Sequence, residues 1–498
     1  MQLGAYSYFR IDCSAGKYPF VPATVSMAGA VVCDADNTTD HSHQKNKKRP
    51  RRVTVAKKPT KEVKTSDDIE DINFSTDEAL EIRASLLKWY DENQRDLPWR
   101  RISNSGGNDH DNEDVEESER RAYAVWVSEV MLQQTRVQTV IDYFNRWMNK
   151  WPTLRHLSQA SLEEVNEMWA GLGYYRRARF LLEGAKMVVD EGAGFPREVS
   201  ALRRVKGIGE YTAGAIASIA FKEVVPVVDG NVIRVLARLK AISRNPKDTA
   251  TVKKIWKLAG ELVDDCRPGD FNQALMELGA TVCTPLSPSC SLCPISTQCR
   301  ALSLSKLRES MLVTDYPIKV VKAKQRDEYA AVSVVEVLEG QDSENLQSNN
   351  KFLLVKRADK GLLAGLWEFP SVLLKGEADL TTRTKATNQF LKSSFNLVPG
   401  KSCNIVSRED VGEYVHVFSH IRLKMYIELI VIQLQDLKNV RDKKQGEERW
   451  KYVDREALSS MGLTSGVRKV YSMIESYKQS KSSSSILAKA RPRKASRI

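Results

Sequence analysis

LRRVKGIGEYTAGAIASIAFKEVVPVVDGNVIRVLARL, residues 202–239, is the stretch on which the reading of this 498-residue chain turns. Gly207 and Gly209 stand in a tight turn between two runs of helical character. Glycine permits positive φ and close approach of another backbone, and the helix that follows opens with amides outside its own ladder. Such a turn can seat a phosphate, as a helix–hairpin–helix does when it grips a DNA strand. Taken alone, two glycines mark an ordinary turn more often. Asp229 then follows five residues of Val and Pro, and Gly230 and Asn231 open another helix. Asp229 reads first as a candidate N-cap. Helix amides also favour its anionic form, so an ionised carboxylate is expected there.

A second acid is placed unusually. In WVSEVMLQQTR, residues 126–136, Glu129 lies among Val127, Val130, Met131 and Leu132. On an exposed helix edge it would be unremarked. Among apolar neighbours, desolvation should raise its pKa and keep it protonated near neutral pH.

CTPLSPSCSLCPISTQC gathers Cys283, Cys290, Cys293 and Cys299, with six, two and five residues between them, which is half of the eight cysteines. Without a secretory signal, that clustering argues for metal in a reducing compartment rather than a disulfide frame. Four thiolates can close a tetrahedral zinc site or hold an iron–sulfur cluster, and the chemistry alone leaves both open.

The rest of the chain supplies context. At this length two or three domains are expected, and 42% hydrophobic residues suffice for sizeable cores. No apolar run approaches the roughly 18–20 residues that span a bilayer, so no membrane association is expected. The net charge of +13 is concentrated in KNKKRPRRVTVAKKPTKEVK (45–64) and in the tail 478–498, while acids crowd 108–119. Such runs are usually solvated, and a basic excess favours polyanionic partners. KNKKRPRR would serve as a nuclear address, and an organelle pool is thinly supported by the first thirty residues. A disordered basic tail is expected over 1–72, a mostly α-helical domain over 73–300 with an acidic loop at 103–119, and a linker over 301–326. EYAAVSVVEVL, KFLLVKR, YVHVFSH and KMYIELIVIQL then read as strands of an α+β domain over 327–477, before a second disordered basic tail over 478–498.

WVSEVMLQQTRVQTV, WAGLGYYRRAR, VKGIGEYTAGAIASIAF, VVDGNVIRVLARL and FNQALMELGATVC, followed by the cysteine loop, resemble adenine DNA glycosylases of the MutY type. That family belongs to the helix–hairpin–helix superfamily that also contains endonuclease III. The resemblance covers about residues 76–300 and extends through GLLAGLWEFP and VFSH into a C-terminal Nudix-like domain. It implies a multidomain protein, with a six-helix barrel and an iron–sulfur subdomain followed by the α+β Nudix-like domain. It also implies a [4Fe–4S] cluster on Cys283, Cys290, Cys293 and Cys299, and phosphate held at Gly207 and Gly209.

Cleaving an N-glycosidic bond requires one carboxylic acid to protonate the leaving group and one carboxylate to face the oxocarbenium-like centre. Glu129 and Asp229 are the candidates, and the resemblance assigns them the same roles. Tyr211 stands where lyase-competent relatives carry a lysine. Without that amine no Schiff base forms, so a monofunctional glycosylase is expected. The alternative is a bifunctional glycosylase and lyase for oxidised pyrimidines. Asn231 would orient Asp229 or a water, or merely cap. By resemblance Trp99, Arg100 and Gln273 line the adenine pocket, whereas in isolation Trp99 reads as core. Gln134 and Tyr174 would wedge into the duplex. Adjacent Gln133 and Gln134 cannot share one side of a helix, and Gln134 is assigned to DNA. Phe418, Ser419 and His420 would read 8-oxoguanine opposite the adenine, unless Phe418 is strand core. The implied partner is duplex DNA holding adenine opposite 8-oxoguanine or guanine, bound by a monomer. A working Nudix hydrolase would need glutamates on a magnesium-binding helix, and TKATNQFLKSSFNL has none.

Overall fold

The computed structural model describes residues 72–104, 115–192, 194–320, 324–338, 350–358, 361–435 and 449–489. The basic run 45–64 and most of the acidic run 108–119 lie outside them. Helices occupy the first part: α1 (Thr76–Asn93), α2 (Pro98–Asn104), α3 (Val115–Leu132), α4 (Val137–Lys150), α5 (Leu154–Ser158), α6 (Leu162–Trp169), α7 (Arg176–Glu191), α8 (Val199–Leu202), α9 (Glu210–Phe221), α10 (Gly230–Leu239), α11 (Thr249–Leu262), α12 (Pro268–Thr281) and α13 (Arg300–Leu307). Ser75 caps α1, its hydroxyl accepting from the Glu78 amide.

Two apolar cores organise these helices. One gathers α3, α4, α6, α7 and α9 around Trp126, Trp147 and Trp169. The other gathers α1, α10, α11 and α12, with Ile295 and three of the cluster-loop cysteines packed against it. In α4, Val140 and Phe144 repeat at helical spacing and both are buried.

The second part is a mixed sheet of β1 (Arg326–Leu338), β2 (Lys351–Lys356), β3 (Trp367–Glu368), β4 (Ser371–Leu374), β5 (Cys403–Val417), β6 (Ile421–Leu434) and β7 (Trp450–Asp454). The main order is β3-β2-β1-β6-β5, with β1 and β6 parallel. Side chains alternate between faces, as a strand's period of two requires. Val332, Val334 and Ile427 face α15 (Arg455–Ser460) and α16 (Ser465–Lys489), while Val335, Val337 and Ile430 face α14 (Leu380–Phe395). No glutamate lies on α14.

Three expectations need correction. The acidic loop is shorter than 103–119, because Val115 already starts α3 and Glu116 and Glu117 fall in its first turn, where carboxylates complement the helix dipole. The linker opens with α13, and its Tyr316 is buried against the helical part. The tail from 478 is not wholly irregular, since α16 runs to Lys489. Lys478 there pairs with buried Glu336 at 2.6 Å.

The sheet part docks on the helical part through small and apolar groups. Leu366 is 2% exposed within the Trp126–Trp147 core, and Leu363 packs beside it. The Tyr175 hydroxyl donates to the Leu463 carbonyl at 3.4 Å, and Gly462 sits against the backbone of Glu167. A Cβ on Gly462 would lie 2.5 Å from Glu167 Cα. Gly462→Ala should therefore destabilise the protein by about 1–3 kcal/mol. Gly376→Ala, where an added Cβ meets nothing within 4 Å, serves as the control. Thermal melts of the two variants check this.

Candidate active site

The candidate residues converge where the two helical cores meet. Glu129, on the inner face of α3, is 6% exposed. Tyr211, in the first turn of α9, directs its hydroxyl at Glu129 Oε2 and lies 3.5 Å from Met276 Sδ on α12. Burial drives the Glu129 pKa up to about 7. The Tyr211 hydrogen bond pulls it down, the Asp229 charge pushes it up, and the Arg100 guanidinium pulls it down. The rise is in the direction expected for an acid set among apolar residues. Burial, reinforced by the two carboxyls, holds the Tyr211 phenol well above its usual value, so it stays a neutral donor.

Asp229 caps α10, its Oδ1 accepting from the amides of Asn231 at 2.8 Å and Val232 at 2.7 Å. The expected capping geometry is present, and burial opposes the amides electrostatically. Burial raises the Asp229 pKa above the ordinary aspartate value, and the amides of Val232 and Asn231, with the Asn231 side chain, only partly offset it. Asn231 is positioned as anticipated: Nδ2 donates to Asp229 Oδ2 at 2.7 Å, while Oδ1 accepts from Arg234 Nη2 at 2.8 Å. Arg234 in turn donates to the carbonyls of Gly279 at 2.7 Å and Cys283 at 2.8 Å. A chain of hydrogen bonds thus runs from the cysteine loop to Asp229.

Arg100 and Gln273 also meet, Nε donating to Gln273 Oε1 at 3.3 Å. A further partner of Arg100 was missed from sequence. Glu277, 1% exposed, accepts from Arg100 at 2.9 Å and Arg95 at 2.6 Å. Burial pushes its pKa up, yet the two guanidiniums overcome this and leave it lowered. Its signal was an acid one helical turn beyond Gln273 in an apolar stretch. Trp99 is buried, edge-on to Phe144, within the first core.

The other candidates lie along the adjoining surface. Gly207 has φ +88°, and a Cβ there would come 2.7 Å from Phe180 Cβ, so glycine is required; Gly209 caps α9. Gln133 and Gln134 fall in the turn after α3 rather than on it, which replaces the helix-face argument. Gln134 has φ +57° and is exposed. Tyr174 likewise has φ +47° and is exposed. It borders a cavity of about 580 Å³ whose far wall includes His416, Phe418, Ser419 and His420. Phe418 belongs to the turn between β5 and β6, its amide bonded to the Ile421 carbonyl, and not to strand core.

Cys283, Cys290, Cys293 and Cys299 lie close together. Burial first, then the other three sulfurs, raises the Cys293 thiol to about 12. Arg238, 2% exposed, donates to Cys283 Sγ at 3.2 Å and to the carbonyls of Thr284 and Pro285. Among the described residues, no three His, Cys, Asp or Glu side chains are set as the ligands of a single metal ion. Four neighbouring half-buried thiols beside a buried guanidinium nevertheless fit a cationic iron–sulfur core, which would take up the charge of their thiolates.

Comparison with known proteins agrees with this geometry. Residues 127–261 match the model of the HhH-GPD superfamily of base excision DNA repair proteins, and residues 345–473 match that of the NUDIX domain. The chain is 58% identical to the adenine DNA glycosylase of Arabidopsis thaliana over 426 residues, covering 81% of this chain and 65% of that one. It is 43% identical to that of Mus musculus over 431 residues, 80% and 78% of the two chains, and 45% identical to that of Homo sapiens over 383 residues, 70% and 66%. The chain belongs to the adenine DNA glycosylase family.

The two carboxyls imply a bell-shaped pH dependence of base release. With Glu129 as the acid, activity should fall as pH rises through about 7 and its protonated form is lost. Tyr211→Phe removes a hydrogen bond that favours the carboxylate, so the alkaline limb should move to higher pH. Single-turnover rates measured across pH check both.

Proposed function

We propose that this chain is a monofunctional glycosylase that excises adenine mispaired with 8-oxoguanine or guanine from duplex DNA, as a monomer and in the nucleus. The observation that carries the reading is the buried Glu129 carboxyl, bonded to Tyr211 and facing the charge of Asp229. A target adenine, drawn from the stack, receives the Glu129 proton on ring nitrogen 7. The bond from C1′ to the base then breaks, with its electron pair leaving on adenine. Asp229, held by Asn231 and two amides, stabilises the sugar cation until water adds at C1′ and gives up a proton that restores the Glu129 carboxyl. Tyr211 offers no amine, which supports an intact abasic strand as the product.

Arg100, tied to both Gln273 and Glu277, would border the adenine together with Gln273, with Trp99 behind them. Gln134 and Tyr174 would hold the duplex open, and the hairpin at Gly207 and Gly209 would hold its phosphates. The cavity between Tyr174 and Phe418–His420 supports reading of 8-oxoguanine there. Cys283, Cys290, Cys293 and Cys299 would hold a [4Fe–4S] cluster, whose chemistry here is to knit the loop and neutralise the thiolates. The basic run at 45–64 supports the nuclear assignment.

Glu129→Gln and Asp229→Asn should each lower single-turnover adenine release by about 10²–10⁴-fold. Duplexes with adenine opposite 8-oxoguanine, guanine or thymine, cleaved with alkali after incubation, provide the assay. Undiminished release in both variants would sink the mechanism, and strand nicking without alkali would sink its monofunctional character. Independently, the purified protein should be brown, and Cys293→Ser should lose the visible absorption and the bound iron.

A further inference from the structure

Arg177, in the first turn of α7, is a half-buried guanidinium that the chemistry above does not use. Its Nη1 donates to the carbonyls of Val130 at 2.8 Å, Met131 at 3.0 Å and Gln133 at 2.6 Å. Its Nη2 donates to Thr135 Oγ1 at 3.3 Å and to the carbonyls of Leu172 at 3.3 Å and Gly173 at 3.2 Å. The guanidinium carbon lies 5.2 Å from the Trp169 ring centroid and 5.5 Å from that of Tyr174. Burial pushes its pKa down to about 10, so it is charged at neutral pH despite its cost in solvation.

The bonds to Val130, Met131 and Gln133 close the C-terminus of α3, where helix carbonyls lack partners. A cap alone would account for that half of the set. The other half reaches a different segment, and the two segments share an unusual property. Directly after the carbonyls of Gln133 and Gly173 come Gln134 and Tyr174, side-chain-bearing residues at φ +57° and +47°, both exposed. Backbones of that kind persist where surroundings over-determine them. Here one planar fork fixes both turns. A lysine ammonium, a point charge with three donors, cannot span them.

We propose that Arg177 is the positioning residue that sets the spacing and orientation of Gln134 and Tyr174, so that both enter a mispaired duplex together. This rests on the glycosylase reading above, and Arg177 itself need not touch DNA. Its effect should therefore appear in discrimination of the mispair rather than in general affinity.

The test uses the full-length protein and duplexes in which the target adenosine carries a 2′-fluoro group that blocks cleavage. Dissociation constants are measured opposite 8-oxoguanine and opposite thymine, and the readout is the thymine constant divided by the 8-oxoguanine constant. Arg177→Lys should lower the ratio about tenfold or more while matched-duplex affinity changes less than about threefold, and Gln134→Ala with Tyr174→Ala should do the same. Adding Arg177→Lys to that pair should then change the ratio by no more than about twofold, because linked residues are not additive. An unchanged ratio in Arg177→Lys, or a further full loss in the triple variant, overturns the proposal. So does an equal loss on matched and mispaired duplexes, the signature of a merely structural role. Thermal melting and visible absorption check the fold. If Arg177→Lys does not fold, Thr135→Val removes one acceptor of the fork: a fall in the ratio supports the proposal and an unchanged ratio overturns it. If the unaltered protein shows no mispair preference, the glycosylase reading itself fails.

Discussion

Two buried glutamates sit a few side chains apart and are driven in opposite directions. Glu129 receives a phenol and a nearby carboxyl, so burial prevails and its pKa rises to about 7. Glu277 receives two guanidiniums, so it ends below the ordinary carboxylate value. The partners set the two directions. A buried charge must be paired or neutralised, and here one acid takes each course. The arrangement requires a seam between two cores, because the partners come from helices on both sides. Arg95 and Arg100 precede and open α2, Tyr211 opens α9, and Glu277 lies on α12. Separating the cores would hydrate both acids and erase the distinction.

The cap at Asp229 applies the same balance less severely. Its amides and Asn231 favour the anion, but burial outweighs them in direction. Helix-terminus reasoning supplied the donors, and the structure adds the burial that opposes them. The reach of Arg234 from Asn231 to Gly279 and Cys283 then joins this acid to the cysteine loop. The loop is thereby a structural neighbour of the reaction centre, although its sulfurs do not enter it.

What was legible beforehand follows from the range of the interactions. Glu129 among apolar neighbours, Asp229 before a helix, the paired hairpin glycines and the clustered cysteines are local patterns, and each lies where its spacing implied. The tethers made by Arg100, Arg177 and Arg234 cross 177, 47 and 49 residues at their farthest quoted contacts, so no window of sequence shows them. The strands of the sheet were recognised from their apolar cores, but β5 extends well upstream of YVHV through a polar stretch. Register breaks between Ile405 and Ser407 and between Asp410 and Gly412 hide its alternation. The terminal helix was hidden in the same way, by a serine- and lysine-rich composition whose helical support comes from packing against the sheet and from the Lys478–Glu336 pair. Composition described its solvent face, and tertiary contact decided its conformation.

Leu366 has a further consequence when the chain is considered in order of synthesis. The core around Trp126 and Trp147 is built mainly from residues before 222, yet Leu366 is one of its buried members. A nascent chain that had completed every helix of that body would still present an apolar notch to water, because the side chain that fills it lies more than a hundred residues downstream. Folding domain by domain from the N-terminus therefore leaves the first body unfinished. Its surface closes only when the later sheet arrives, so the boundary between the two parts is a division of sequence and not of folding.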